Sequence, residues 1–243
     1  MNAGRGTNGR ILIFLAKLLV SAVLIGFVLW QIDLDEIRAA VSRPNWFWLL
    51  GALAIYGFSA FGGALQWSWI LKGAGIAAPA REIQRLYFIG LFFNNFLPAN
   101  IGGDAYKIVD LGRREKRPQA VFCATLLDRL IGLGALSFLA LVVYASCTLA
   151  GIALPRTSIL LVPVLLLILT VMAFLLSRRI GSRLPALFRG LKMVRVADQT
   201  AKITAELSHF RHRTRWLAGI FAFSVGVQLL RMLTHLAVAA GLG

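Results

Sequence analysis

Acids are scarce in this chain: ten Asp and Glu stand against 26 Lys and Arg, and only 15% of residues are charged. With 58% hydrophobic residues and a mean hydropathy of +0.76, this excludes a soluble domain around one core and fits a polytopic membrane protein. The formal charge of +16 does not bring nucleic acid with it, because no recognition motif accompanies the basic residues. Their clustering between apolar runs follows the cytoplasmic excess of Lys and Arg instead. Cysteine is nearly absent too. Cys123 and Cys147 fall on one expected helix, and their separation of 24 residues is ~36 Å at helical rise, too far for a disulfide. There is no His/Cys/carboxylate set at metal spacing, no Gly-rich phosphate loop and no G-x-S-x-G. No catalytic residue, metal or cofactor is therefore expected, and the chain does not read as an enzyme.

Long apolar runs are what the chain does have. Residues 11–30, 46–71, 119–150, 158–176 and 216–240 are each expected to cross ~30 Å of hydrocarbon, an all-α fold of about five transmembrane helices. Residues 11–30 are too long for a signal peptide and lack a small-residue cleavage site, so they read as a retained anchor. On the second span Ser59 and Gly63 lie four apart, either a close helix contact or incidental small residues. Residues 177–215 hold ten Lys and Arg against two acids. They read as a basic cytoplasmic segment, either an amphipath on anionic headgroups or a solvated loop.

Residues 86–105 break the pattern. An apolar run leads into Asn94-Asn95-Phe96-Leu97-Pro98-Ala99-Asn100-Ile101-Gly102-Gly103-Asp104-Ala105-Tyr106-Lys107. Pro98 removes a backbone donor, and each glycine costs a helix ~1 kcal/mol relative to Ala. Irregular polar backbone at membrane depth survives only where protein buries it or a wet cavity faces it. Basic residues flank this stretch on both sides. If it crossed the membrane, residues 177–215 would face outward against the positive-inside bias, so a re-entrant hairpin is expected. The N-terminus then lies in the cytoplasm.

The polar residues of this stretch are the first candidates for a site. Asn94, Asn95 and Asn100 offer amides, and Gly102 with Gly103 would allow close backbone approach to an oxyanion. Asp104 and Lys107 share a helical face, although Asp104 could equally be a helix cap. Asp128 and Arg129 form a second site near the cytoplasmic boundary. Adjacent residues diverge by about 100° on a helix, so they should find different partners, a salt link to the hairpin among them. Ser224, Gln228, Arg231 and His235 recur at intervals of four, three and four, a stripe on one face of the last span. Arg231 should turn that face toward the hairpin's cavity, with Asp128 as its first-choice partner.

The Asn94–Pro98 and Gly102-Gly103-Asp104 motifs, the basic Lys107 and the Asp128-Arg129 pair together resemble the flippase-like transmembrane family. That family includes the membrane half of lysylphosphatidylglycerol synthase, also called the multiple peptide resistance factor. About 45 residues carry the motifs. The family usually has Arg where this chain has Lys107, and Glu where it has Asp128. Its members are longer, with a second half bearing another Pro/Gly-rich motif, so the resemblance implies a missing C-terminal part or a homo-oligomeric partner. It further implies a bacterial inner-membrane protein that binds and translocates a charged phospholipid, anionic or zwitterionic, such as an aminoacylated phosphatidylglycerol. Arg129, Lys107 and Arg231 would neutralise phosphate; Asp104 and Asp128 would meet an ammonium or balance the cations; the asparagines would line the path. The alternatives are a membrane subunit of a lipid aminoacyl- or glycosyl-transferase system, and a non-transporting scaffold.

Overall fold

The computed structural model describes residues 23, 26, 27, 42, 44–96, 102–152, 160–190, 193–210 and 213–242. All of the expected span 11–30 but residues 23, 26 and 27 lies outside the described residues, as do Pro98, Asn100 and the side chain of Asn95. Among the described residues eight helices follow one another: α1 (Trp46–Gly73), α2 (Ala80–Phe96), α3 (Gly102–Arg114), α4 (Pro118–Leu149), α5 (Leu161–Leu176), α6 (Arg178–Gly190), α7 (Val194–Ser208) and α8 (Thr214–Leu242). The chain divides into two compact units, residues 1–49 with 238–243 and residues 50–237. In the first, the Asn45 N–H donates to the Gly241 carbonyl at 2.9 Å. The candidate site residues from Asn94 to His235 all belong to the second.

Helices α1, α4 and α8 are long and apolar enough to cross a membrane, which makes this an all-α polytopic membrane fold. Helix α5 is apolar but has 16 residues, ~24 Å at helical rise and shorter than the hydrocarbon slab.

Local chemistry sets the helix ends. Gly75 (φ +75°) closes α1 in a left-handed conformation, with the Ile76 N–H on the Leu71 carbonyl (2.9 Å) and the Gly75 N–H on Lys72 (3.0 Å). Ile76 and Leu71 are both buried, the apolar contact that accompanies this cap. Helix α3 ends the same way, but with Lys116 (φ 53°) at the left-handed position and the Arg117 N–H on the Gly112 carbonyl at 3.1 Å. Pro118 then opens α4, where its missing donor costs nothing.

Helices α2 and α3 fold back on each other. Glu82 meets Arg114 at 2.8 Å, Phe93 meets Tyr106 with ring centroids 5.2 Å apart, and the Gly103 N–H donates to Asn94 Oδ1 at 2.8 Å. As the first number rises the second falls, so the arms run antiparallel and form a hairpin. The shared core joins it to the other helices: Trp67, Ile70 and Leu71 from α1, Ile83 and Leu86 from α2, Leu111 from α3, Val121, Leu127 and Ile131 from α4. Between membrane helices such contacts hold by close van der Waals packing and not by transfer out of water.

The basic segment is not a solvated loop. It forms α6 and α7, and α7 lies along α4 with Cys123 Sγ 3.6 Å from the Ile203 carbonyl and Arg117 Nη2 2.7 Å from Glu206. Leu207 and Phe210 are fully buried. The charge count concealed this, because the buried residues are few and the described basic ones, Arg183, Arg189, Arg195, Lys202, Arg213 and Arg215, are exposed.

The hairpin's closed base yields a topological prediction. Arg81 and Lys116 flank the Glu82–Arg114 contact, so single cysteines there are expected to react with an impermeant thiol reagent from the same, cytoplasmic side. Labelling from opposite sides would show that the hairpin spans the membrane.

Candidate functional site

Three of the helix faces that carry candidate residues, on α4, α8 and the hairpin, meet at one partly open cavity of about 370 Å³. Asn94 and Lys107 reach it from the hairpin, Asp128 and Arg129 from α4, and Ser224, Gln228 and Arg231 from α8. Helix α1 supplies a fourth wall with Tyr56, Ser59, Gly63 and Gln66, at intervals that keep them on one helical face.

Two oppositely charged residues share this cavity without pairing. Asp128 accepts a hydrogen bond from Gln66 Nε2 at 2.8 Å. Arg231 Nη1 approaches Gln228 Oε1 at 3.5 Å, and Gln228 Nε2 donates to the Gly132 carbonyl at 2.9 Å. Among the described residues neither Asp128 nor Arg231 makes an ion pair, which corrects the expected Asp128–Arg231 contact. Gln66 intervenes on one side and Gln228 on the other. Gln66 Oε1 is itself buried without a hydrogen-bond partner.

Asp104 holds the second charged cluster. It lies in the first turn of α3, but its carboxylate reaches Lys107 Nζ at 2.9 Å and Arg129 Nε at 2.6 Å. Lys107 is 5% exposed, and its ammonium also sits 4.8 Å from the Trp67 ring centroid and 5.0 Å from that of Tyr87. Trp67 is held in turn by its Nε1–H on Thr125 Oγ1 at 3.2 Å. Asp128 and Arg129 thus find different partners, and Arg129 makes the salt link to the hairpin.

The glycine pair works differently from its sequence reading. Gly103 lies against the backbone of Gly90, and Asn94 Oδ1 takes its N–H, so the close approach joins the two hairpin arms. Neither Gly102 nor Gly103 lines the cavity. His235 is exposed and leaves the stripe, whereas Ser224 and Gln228 are buried. Gly63, read as a helix-contact residue, faces the Tyr87 hydroxyl and Arg231 Nη2.

Sequence reasoning missed Gln66 and Tyr87, and Trp67, whose place near the end of its span suits an interface anchor, is fully buried in the core instead. For Gln66 a signal was available: it is the one carboxamide in the 28 residues of α1. A buried amide in an apolar helix needs a partner, which points to another polar helix face.

A multi-helix membrane fold with acids, guanidinia and amides converging on one cavity defines a membrane protein built around a polar cavity between its helices. Residues 14–243 match the family described as the lysylphosphatidylglycerol synthase TM region, and the chain belongs to that family. The region is a non-catalytic part of that system. The chain is also 28% identical over 117 residues to the UPF0104 membrane protein PH1989 of Pyrococcus horikoshii. That alignment covers 47% of this chain and 35% of the relative's length. No solved structure matches the chain.

Proposed function

We propose that this chain is a flippase-like membrane domain that binds a charged phospholipid headgroup, such as that of an aminoacylated phosphatidylglycerol, and carries it between leaflets. The carrying observation is the pair of opposite charges, Arg231 and Asp128, that face one cavity without pairing with each other. Ionisable residues at membrane depth pair or mark a pathway, and these two leave room for a ligand between them. Arg231 presents a planar fork to phosphate, with Arg129 as a second cation at the cavity wall. Asp128, Gln66, Asn94 and Gln228 provide acceptors and donors for the rest of the head. The acyl chains remain in the surrounding bilayer. In this reading the protein sits in a bacterial plasma membrane with its N-terminus and the hairpin's base on the cytoplasmic side.

The test is transfer of a labelled anionic phospholipid between leaflets of reconstituted vesicles. Asp104→Asn keeps the side chain's size while removing the charge that balances Lys107 and Arg129. Transfer is expected to fall to background with insertion unchanged. A wild-type chain that neither binds nor moves phospholipid would sink the reading, and an unaffected variant would reduce Asp104 to a packing role.

A further inference from the structure

We propose that Trp67, Tyr87 and Asp104 form an ammonium-binding site that Lys107 fills in the resting protein and yields to a ligand's ammonium entering the adjoining cavity. The inference rests on the reading of that cavity as a headgroup site, and adds to it where a positively charged head would go.

The geometry is that of an aromatic cage closed by a carboxylate. The Lys107 ammonium lies 4.8 Å from the Trp67 ring centroid, 5.0 Å from the Tyr87 centroid and 2.9 Å from Asp104 Oδ1. Ring faces attract cations through their quadrupole, strongly where water is excluded, and such cages are a general means of holding alkylammonium groups. Each wall comes from a different helix, α1, α2 and α3. Trp67 is fixed from behind by Thr125, so the cage does not depend on Lys107 for its shape.

Three features make the occupant exchangeable. Ring faces and a carboxylate have little directional demand, so they do not distinguish the protein's own ammonium from another. Asp104 keeps Arg129 at 2.6 Å, so departure of Lys107 leaves no stranded carboxylate. Lys107 lines the cavity on a flexible stem that Gly90 accommodates, so its displaced ammonium can turn toward the phosphate of the incoming ligand. The exchange leaves the charge of the wall unchanged.

The test measures the reactivity of Lys107 in the wild-type chain. A pulse of acetic anhydride is followed by mass spectrometry, with exposed Lys202 as the internal reference. Glycerophosphocholine is the probe, since its quaternary ammonium does not consume the reagent; glycerophosphoglycerol is the control without an ammonium. The choline probe is expected to raise Lys107 acetylation about tenfold or more, the scale a desolvated cation–π contact supports, and the control to leave it unchanged. Equal protection with both would overturn the proposal and make Lys107 a permanent pin. In a second arm, Lys107→Ala empties the cage and is expected to bind tetramethylammonium by calorimetry, while Lys107→Met fills it and does not. A folded Lys107→Ala chain that binds none would also overturn it; if that variant does not fold, the acetylation arm decides. Tetramethylammonium carries no phosphate or acyl chain, so this arm can succeed where the lipid reading fails.

Discussion

Arg231→Gln is expected to weaken phospholipid binding by roughly 10–100-fold and to stop lipid transfer, while the folded chain becomes no less stable. The two halves of that result have separate causes. Charge-assisted hydrogen bonds contribute about 1.5–3 kcal/mol, so losing the guanidinium costs one to two decades of affinity if it holds phosphate. The same guanidinium has no carboxylate partner among the described residues, with Gln228 Oε1 at 3.5 Å and Gly63 and Tyr87 beside it. An arginine at the centre of a membrane helix costs at least ~2.5–3.5 kcal/mol on insertion scales. No ion pair among the described residues offsets that cost, so replacing the charge with a neutral amide relieves the fold. Arg231→Lys keeps the charge but not the planar fork, and is expected to fall between. Binding by calorimetry and melting in detergent, measured on the same preparations, check both halves. Unchanged binding with unchanged transfer would leave Arg231 as a helix-joining residue and favour a scaffold.

Much of this site was legible because breaks in pattern are informative in a membrane protein. Pro98, Gly102 and Gly103 in an apolar run announced a break, and charge asymmetry argued that the chain turns back there. The spacing of Ser224, Gln228 and Arg231 placed them on one face, and the angle between Asp128 and Arg129 sent them to different partners. What could not be read was which surfaces adjoin. Periodicity says that a face is polar, not which helix it meets, so the pairing of Asp128 with Gln66 rather than Arg231 was out of reach. Trp67 and Tyr87 were hidden for another reason. An aromatic ring in an apolar helix fits core, lipid interface and cation site alike, and only the Lys107 ammonium beside it distinguishes them. The burial of Leu207 and Phe210 was masked by the basic residues around them, although the helical spacing of α7 was there to be read.

Gly103→Ala is expected to do the greatest harm of the glycine-to-alanine changes among the described residues. A Cβ at Gly103 would collide with the carbonyl oxygen of Gly90 and lie 2.6 Å from Asn94 Oδ1, the atom that accepts the Gly103 N–H. A side chain can rotate away from such a clash, but the backbone of a packed helix cannot. The two hairpin arms would have to part, drawing Lys107 out of its cage and Asp104 away from Arg129. Overpacking a core costs typically ~1–3 kcal/mol, and a backbone collision belongs at or above the top of that range. Gly90→Ala meets the Gly103 carbonyl and Lys107 Cδ, both at 3.2 Å, and asks for a shift of a few tenths of an ångström. It is expected to cost less. Gly226→Ala, on α8 with nothing within 4 Å, meets no obstacle and gains up to ~1 kcal/mol of helix propensity. The order can be read from melting followed by a thiol-reactive dye in a Cys147→Ser background, where buried Cys123 reports unfolding. Gly103 should melt lowest, Gly90 next, and Gly226 at or above the parent. Equal melting of the Gly103 and Gly226 variants would mean that the hairpin arms do not touch where the structure puts them, and the cage and cavity they form would fall with that contact.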